Sequence, residues 1–118
     1  MPGKPPSNAS RLNAYRLMWI IILYDLPTHT AEERKVYAEF RKNILEEGFT
    51  MFQFSIYTRP CPSRENADVH IIRVEKILPP RGKVGILTIT DKQFGMMKLY
   101  YGTASTKKPE GYEQLMLF

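Results

Sequence analysis

Asp25 is the residue best placed to do chemistry. It is the first charge after the apolar run at residues 17–24, LMWIIILY, and Leu26 and Pro27 follow it at once. A run of that length, rich in β-branched and aromatic residues, reads as a strand covered on both sides. The carboxylate then leaves the core at a fixed point on a rigid element. Such an acid either holds a metal and serves catalysis, or is a solvated strand end whose side chain caps the turn at residues 26–30. One carboxylate holds Mg²⁺ poorly, because the ion takes about six oxygens and keeps water where they are missing. A two-fold dimer that brought two copies of Asp25 together would supply the second carboxylate. Like charges so close raise one pKa unless a cation lies between them.

Basic residues form the second set. Arg34 and Lys35 recur seven positions later as Arg41 and Lys42, a spacing that clusters them on one side of a helix. Arg59, Arg64, Arg73 and Lys76, with Arg81 and Lys83, add a second basic region. Together they suit phosphate-backbone contact without base reading, with affinity that falls as salt rises. The competing reading is a solvated face laced by Glu39 and Glu46. Trp19, Tyr24, Phe52, Phe54 and Tyr57 are better explained as core or dimer contacts than as a base-stacking platform. Ser55 and Tyr57 would orient a water or a phosphate if their strand bends near Asp25. His29 and His70 are read as surface histidines, His29 being close enough to Asp25 to test. Cys61, the single cysteine, sits between two prolines and reads as a partnerless loop residue, so neither a disulfide nor a cysteine metal site exists within one chain.

The elements that must position these residues follow from local signals. Residues 1–16 read as a flexible arm and 103–118 as a tail, leaving 17–102 as one domain. After the first strand, Thr30-Ala31-Glu32-Glu33 is a capping box that starts a helix. Val36, Tyr37, Phe40, Ile44 and Leu45 form its inward stripe, and Gly48 closes it. Residues 49–58 form one long strand or two short ones joined by a bend, ended by Arg59-Pro60-Cys61-Pro62. A second helix is predicted from about Asn66 to Leu78, with Ala67, Ile71, Val74 and Leu78 inward and Pro79-Pro80 as its stop. Residues 83–90 form another strand, and residues 96–101 a short edge or exchanged strand. This order predicts an α+β, ferredoxin-like βαββαβ sandwich with an extra short C-terminal strand. Its uncovered sheet face invites a second copy, hence a homodimer.

The chain has 118 residues, with seventeen basic against twelve acidic giving +5, which suits a polyanionic partner. The apolar run is too short to span a bilayer. With no signal peptide evident, an intracellular, cytoplasmic protein is expected, and the Asn8-Ala9-Ser10 sequon is read as chance.

Four segments carry a resemblance: residues 18–27 (MWIIILYDLP), 30–35 (TAEERK) followed by Phe40-Arg41-Lys42, 47–57 (EGFTMFQFSIY), and 85–94 (GILTITDKQF). Each sits at its expected place in the β-α-β order, and together the chain resembles the CRISPR-associated Cas-two family, most of all its type II members. The resemblance implies a homodimer that bridges dimers of the CRISPR integrase and clamps a short double-stranded DNA for insertion into the repeat array. It also implies, for several members, a metal-dependent RNase or DNase in which the acid matching Asp25 pairs with its dimer mate around Mg²⁺. Ser55 would match a polar residue of the second strand, and residues 96–101 and 112–118 would serve assembly. Two other readings stand beside the adaptor: a standalone Mg²⁺-dependent endonuclease, and a ferredoxin-like regulatory or ligand-binding module.

Overall fold

The structure is a computed structural model and describes residues 17–102; the arm and the tail lie outside the described residues. The first strand, β1, spans Met18–Asp25. Met18, Ile20, Ile22 and Tyr24 alternate onto one face, where with Leu26 they join Phe40, Ile44, Ala67 and Val74 in a single core. Trp19, Ile21, Leu23 and Asp25 take the other face. Coverage on both sides, expected from the unbroken apolar run, is not met among the described residues: Leu23 is 41% exposed and Asp25 is exposed.

Helix α1, Ala31–Glu46, begins as its capping box predicts. The Glu33 amide donates to Thr30 Oγ1 at 3.0 Å, and the amides of Thr30 and His29 donate back to Glu33 Oε1. These bonds, the Thr30 amide foremost and Arg81 nearby, hold the Glu33 carboxyl below its ordinary value against a partial desolvation. The helix ends on a Schellman motif. Gly48, at φ +95°, turns the chain, while the amides of Gly48 and Phe49 return to the carbonyls of Leu45 and Ile44.

The segment after it resolves into two strands, β2 (Thr50–Gln53) and β3 (Ile56–Cys61). A register shift lies between Met51 and Gln53, and Ser55 adopts φ +66° in the connection. β3 does not stop at Arg59 but runs through Pro60 to Cys61. Its pairing with β2 reaches no further than Thr58, so the proline nitrogen needs no ladder partner on that side. Cys61 is therefore a buried strand residue rather than a loop residue, and burial pushes its thiol up against the opposing influence of Arg59.

Helix α2 covers Arg64–Glu75, starting before Asn66 and ending short of Leu78. Ser63 caps it through the Asn66 amide, and proline at 79 disfavours helical backbone at Leu78. Leu78 is accordingly exposed, not inward. β4, Lys83–Thr90, forms as predicted. The chain then enters a short helix, α3 (Asp91–Gly95), through a second capping box between Thr90 and Gln93. Residues 96–101 adopt no strand conformation among the described residues, so the expected edge or exchanged strand is not formed there.

The sheet order is β2-β3-β1-β4, antiparallel throughout, which is the ferredoxin-like arrangement. Both long helices pack on one face. On the other, Trp19 stacks on Phe94 at 4.1 Å and donates its indole N–H to Asp91 at 2.7 Å. Phe52 meets the edge of the same ring. Leu23 and Leu87 stay open beside them, an apolar strip that no described residue covers.

Candidate nucleic-acid interface and acidic strand end

Asp25 ends β1 opposite Lys83 of β4 and lies on the open face. The chain around it is tightly held. The Tyr24 amide donates to the Ser55 carbonyl at 3.1 Å, so the β2–β3 connection does approach this strand end. On the opposite flank Gly82, at φ +92°, packs so closely that a Cβ there would lie 2.9 Å from the Asp25 carbonyl oxygen. Tyr57 does not share this site. It is 1% exposed and faces the helices, so it meets neither a water nor a phosphate beside Asp25. His29 is exposed, and its backbone rather than its ring is engaged, on Glu33; no hydrogen bond joins it to Asp25.

A single Asp25 does not make a magnesium centre. Among the described residues no group of three or more His, Cys, Asp or Glu gathers where it could hold a metal, and Mg²⁺ is satisfied by one carboxylate only if water fills the rest. The described residues of one chain do not fit the ion, and a shared site would require a second copy. A hollow of about 610 Å³ near this end is lined by Leu26, Val36 and Pro80 with Glu32, Glu33 and Arg81, and Asp25 is not part of its wall. Its carboxylate rim is a poor host for phosphate.

The basic residues divide into two groups. Arg34 donates from Nη1 to the carbonyls of Thr28 and His29, tying the loop after β1 to α1. Arg59 donates to the Glu47 and Pro60 carbonyls, and Arg73 reaches Glu47 Oε2 at 3.3 Å. Arg41 donates from Nε to the Tyr57 hydroxyl at 2.8 Å. Neither Glu39 nor Glu46 forms an ion pair with them among the described residues, so the expected lacing by those acids is replaced by carbonyl and phenol contacts. Lys35, Lys42, Arg64 and Lys76 are exposed and bond no described residue through their side chains. Lys35 and Lys42 lie two turns apart on α1, Arg64 opens α2, and Lys76 follows its end.

His70 departs most from its sequence reading. It is 7% exposed, and its Nδ1 lies 2.6 Å from Glu47 Oε2. An ionised carboxylate only accepts, so Nδ1 carries the proton of that bond. Sequence offered no signal for this pair, because the partners stand 23 positions apart on different elements. Tyr24 is a second buried polar group. Burial, then the neighbouring phenols of Tyr57 and Tyr37, push its own phenol far above the ordinary value. Its hydroxyl has no hydrogen-bond partner among the described residues, so it serves packing and not acid–base work.

Comparison with known proteins agrees with this architecture. The family model described as "CRISPR associated protein Cas2" matches residues 18–97. The chain is 55% identical over 109 residues to the "CRISPR-associated endoribonuclease Cas2" of Flavobacterium psychrophilum, covering 92% of this chain and 95% of that protein. It is 50% identical to the protein of the same name from Parvibaculum lavamentivorans, covering 86% of this chain and all of the relative. A solved structure described as "Crystal structure of cas2" superposes with a TM-score of 0.52 at 17% identity, over 80% of this chain and 95% of that one, a likeness of fold alone. Among the described residues, no helix is long and apolar enough to cross a membrane.

Proposed function

Because this chain belongs to the CRISPR-associated Cas2 family, we propose that it is a cytoplasmic, DNA-binding structural subunit of CRISPR adaptation, a homodimer that bridges integrase dimers and holds a double-stranded DNA by its phosphates. The observation that carries this reading is the split among its cations. Lys35, Lys42, Arg64 and Lys76 stand exposed with no partner among the described residues on a chain of net charge +5, while the candidate chemistry amounts to one acid per chain. Sequence-independent binding needs such exposed cations and little else. The open strip of Leu23 and Leu87 supports pairing with a second copy, which would also bring two Asp25 side chains to one interface.

The test is duplex affinity across several salt concentrations. Charge reversal at Lys35 and Lys42 together (K35E/K42E) is expected to weaken binding about tenfold and to reduce the salt slope by about two. Arg34 and Arg73 are poorer targets, since reversing them disturbs the fold as well. Unchanged affinity and slope in the double variant would remove the assignment.

A second reading is favoured by the relatives' printed name, endoribonuclease, and by the exposed carboxylate on a rigid strand end. In that case rigorously purified protein cleaves RNA only when Mg²⁺ is supplied, and Asp25→Ala abolishes cleavage while dimer mass and duplex affinity stay within about twofold of wild type. Absence of cleavage by the purified wild type leaves the adaptor role alone.

A further inference from the structure

We infer that Tyr57 is a positioning residue that presets Arg41 as a two-pronged ligand for a phosphodiester. The inference rests on the duplex-binding reading above and deepens it. Arg41 is exposed on α1, yet its Nε donates to the Tyr57 hydroxyl at 2.8 Å. A guanidinium is planar, with its five N–H donors in a rigid fork. Holding Nε fixes the plane, and the two terminal nitrogens bond no described residue.

The anchor is itself packed into the core. Tyr57 is 1% exposed, and its ring stacks on Tyr24 at 5.9 Å with 12° between planes. Tyr24 in turn meets the edge of Phe40 at 5.1 Å, and Phe40 is the residue before Arg41. The core thus fixes both ends of the Arg41–Tyr57 bond, one through the helix backbone and one through the phenol.

The chemistry of the anchor separates Arg41 from the other candidate arginines. Arg73 faces the Glu47 carboxylate, which offsets its charge. Arg34 turns Nη1 inward onto loop carbonyls, and Arg59 turns both Nε and Nη1 inward. Arg41 is held by a neutral phenol through Nε, which an end-on contact through both terminal nitrogens does not use. It keeps its full charge and both terminal amino groups, and has already given up rotamer freedom that binding would otherwise remove.

Anisotropy of a labelled mixed-sequence DNA duplex, titrated at several salt concentrations with the full-length protein, tests this. Tyr57→Phe is expected to weaken binding about fivefold with the salt slope unchanged, because the charge remains and only its orientation is lost. Arg41→Lys, which leaves the core intact, is expected to cause a similar loss at the same slope. Arg41→Gln should lower the slope by about one. Tyr57→Phe should add nothing in the Arg41→Lys background. Wild-type binding by Tyr57→Phe alongside a clear loss in Arg41→Gln overturns the positioning role alone. So does a Tyr57→Phe loss that persists in the Arg41→Lys background, which would mark general core damage. If both Arg41→Gln and K35E/K42E bind as wild type, the duplex-binding reading falls and the positioning role falls with it.

Discussion

Gly82→Ala is expected to destabilise the protein by ~2–4 kcal/mol, lowering its thermal midpoint by something on the order of 10–20 °C. Gly82 adopts φ +92°, a region where a Cβ crowds the backbone. The added methyl would also lie 2.6 Å from Leu26 Cδ2 and 2.9 Å from the Asp25 carbonyl oxygen. The leucine tip can rotate away, but the carbonyl belongs to the end of β1 and cannot move without breaking the Asp25–Lys83 register. Left-handed strain and overpacking each contribute ~1–3 kcal/mol. Gly85→Ala is the matched control: its nearest neighbours lie at 3.8 and 3.9 Å and its φ is not in the left-handed region, so it should stay within about 1 kcal/mol of wild type. Urea unfolding of the three proteins separates the outcomes. Equal stability of the two variants would mean that the chain at Gly82 is not pressed against Asp25.

That contact seats the loop before β4 against the backbone of Asp25. The glycine sits before the strand that pairs with β1, and its lack of a side chain lets the incoming loop seat directly on the backbone behind Asp25. The structural role of the glycine depends on a neighbour more than fifty positions earlier, which no local pattern encodes.

What was legible shares one property: the signal and its partner lie within a turn or two of each other. The Thr30–Glu33 capping box, Gly48 as helix stop, and the β1 and β4 runs all appear where their residues put them. The βαββαβ order then follows from element lengths. The four segments that carried the family resemblance all lie within the region that the family model matches. Asp25 was found because it punctuates an apolar run, and it does end β1. The basic residues were legible as a list but not as a surface. Whether an arginine faces solvent or a carbonyl is decided by elements that meet only after folding, as with Arg59 on Glu47 and Arg41 on Tyr57. The α2 start differs from the predicted Asn66 because the Ser63 hydroxyl accepts from the Asn66 amide and caps the helix earlier. The strand break near Ser55 stayed open for the same reason. A register shift is a property of two paired strands, not of either alone.

Glu47 is where these long-range contacts concentrate, and its removal is the second large effect expected. It is the C-cap of α1, its carbonyl accepts from Arg59 Nε at 2.9 Å, and its carboxylate receives His70 at 2.6 Å and Arg73 at 3.3 Å. One residue thereby joins the end of α1 to β3 and to the buried side of α2. Glu47→Ala leaves the backbone contact in place but strands the His70 donor in a site that is 7% exposed. An unmet donor at such a position costs ~1–3 kcal/mol, and loss of the charge-assisted bond adds to it. Because the carboxylate side chain keeps 18% exposure, the total should be about 2–3 kcal/mol rather than the larger figure for a fully buried pair. Glu47→Gln, whose amide oxygen still accepts from Nδ1, should recover roughly half. A Glu47→Ala/His70→Ala cycle should be clearly less than additive, since the second change removes the stranded donor; strict additivity would show that the 2.6 Å bond contributes nothing. The same variant bears on the interface. If Arg59 and Arg73 serve the fold, Glu47→Ala protein kept folded at low temperature should bind duplex within about twofold of wild type. A marked tightening would mean that the carboxylate had been competing with phosphate for Arg73, and would move that arginine from the scaffold into the binding surface.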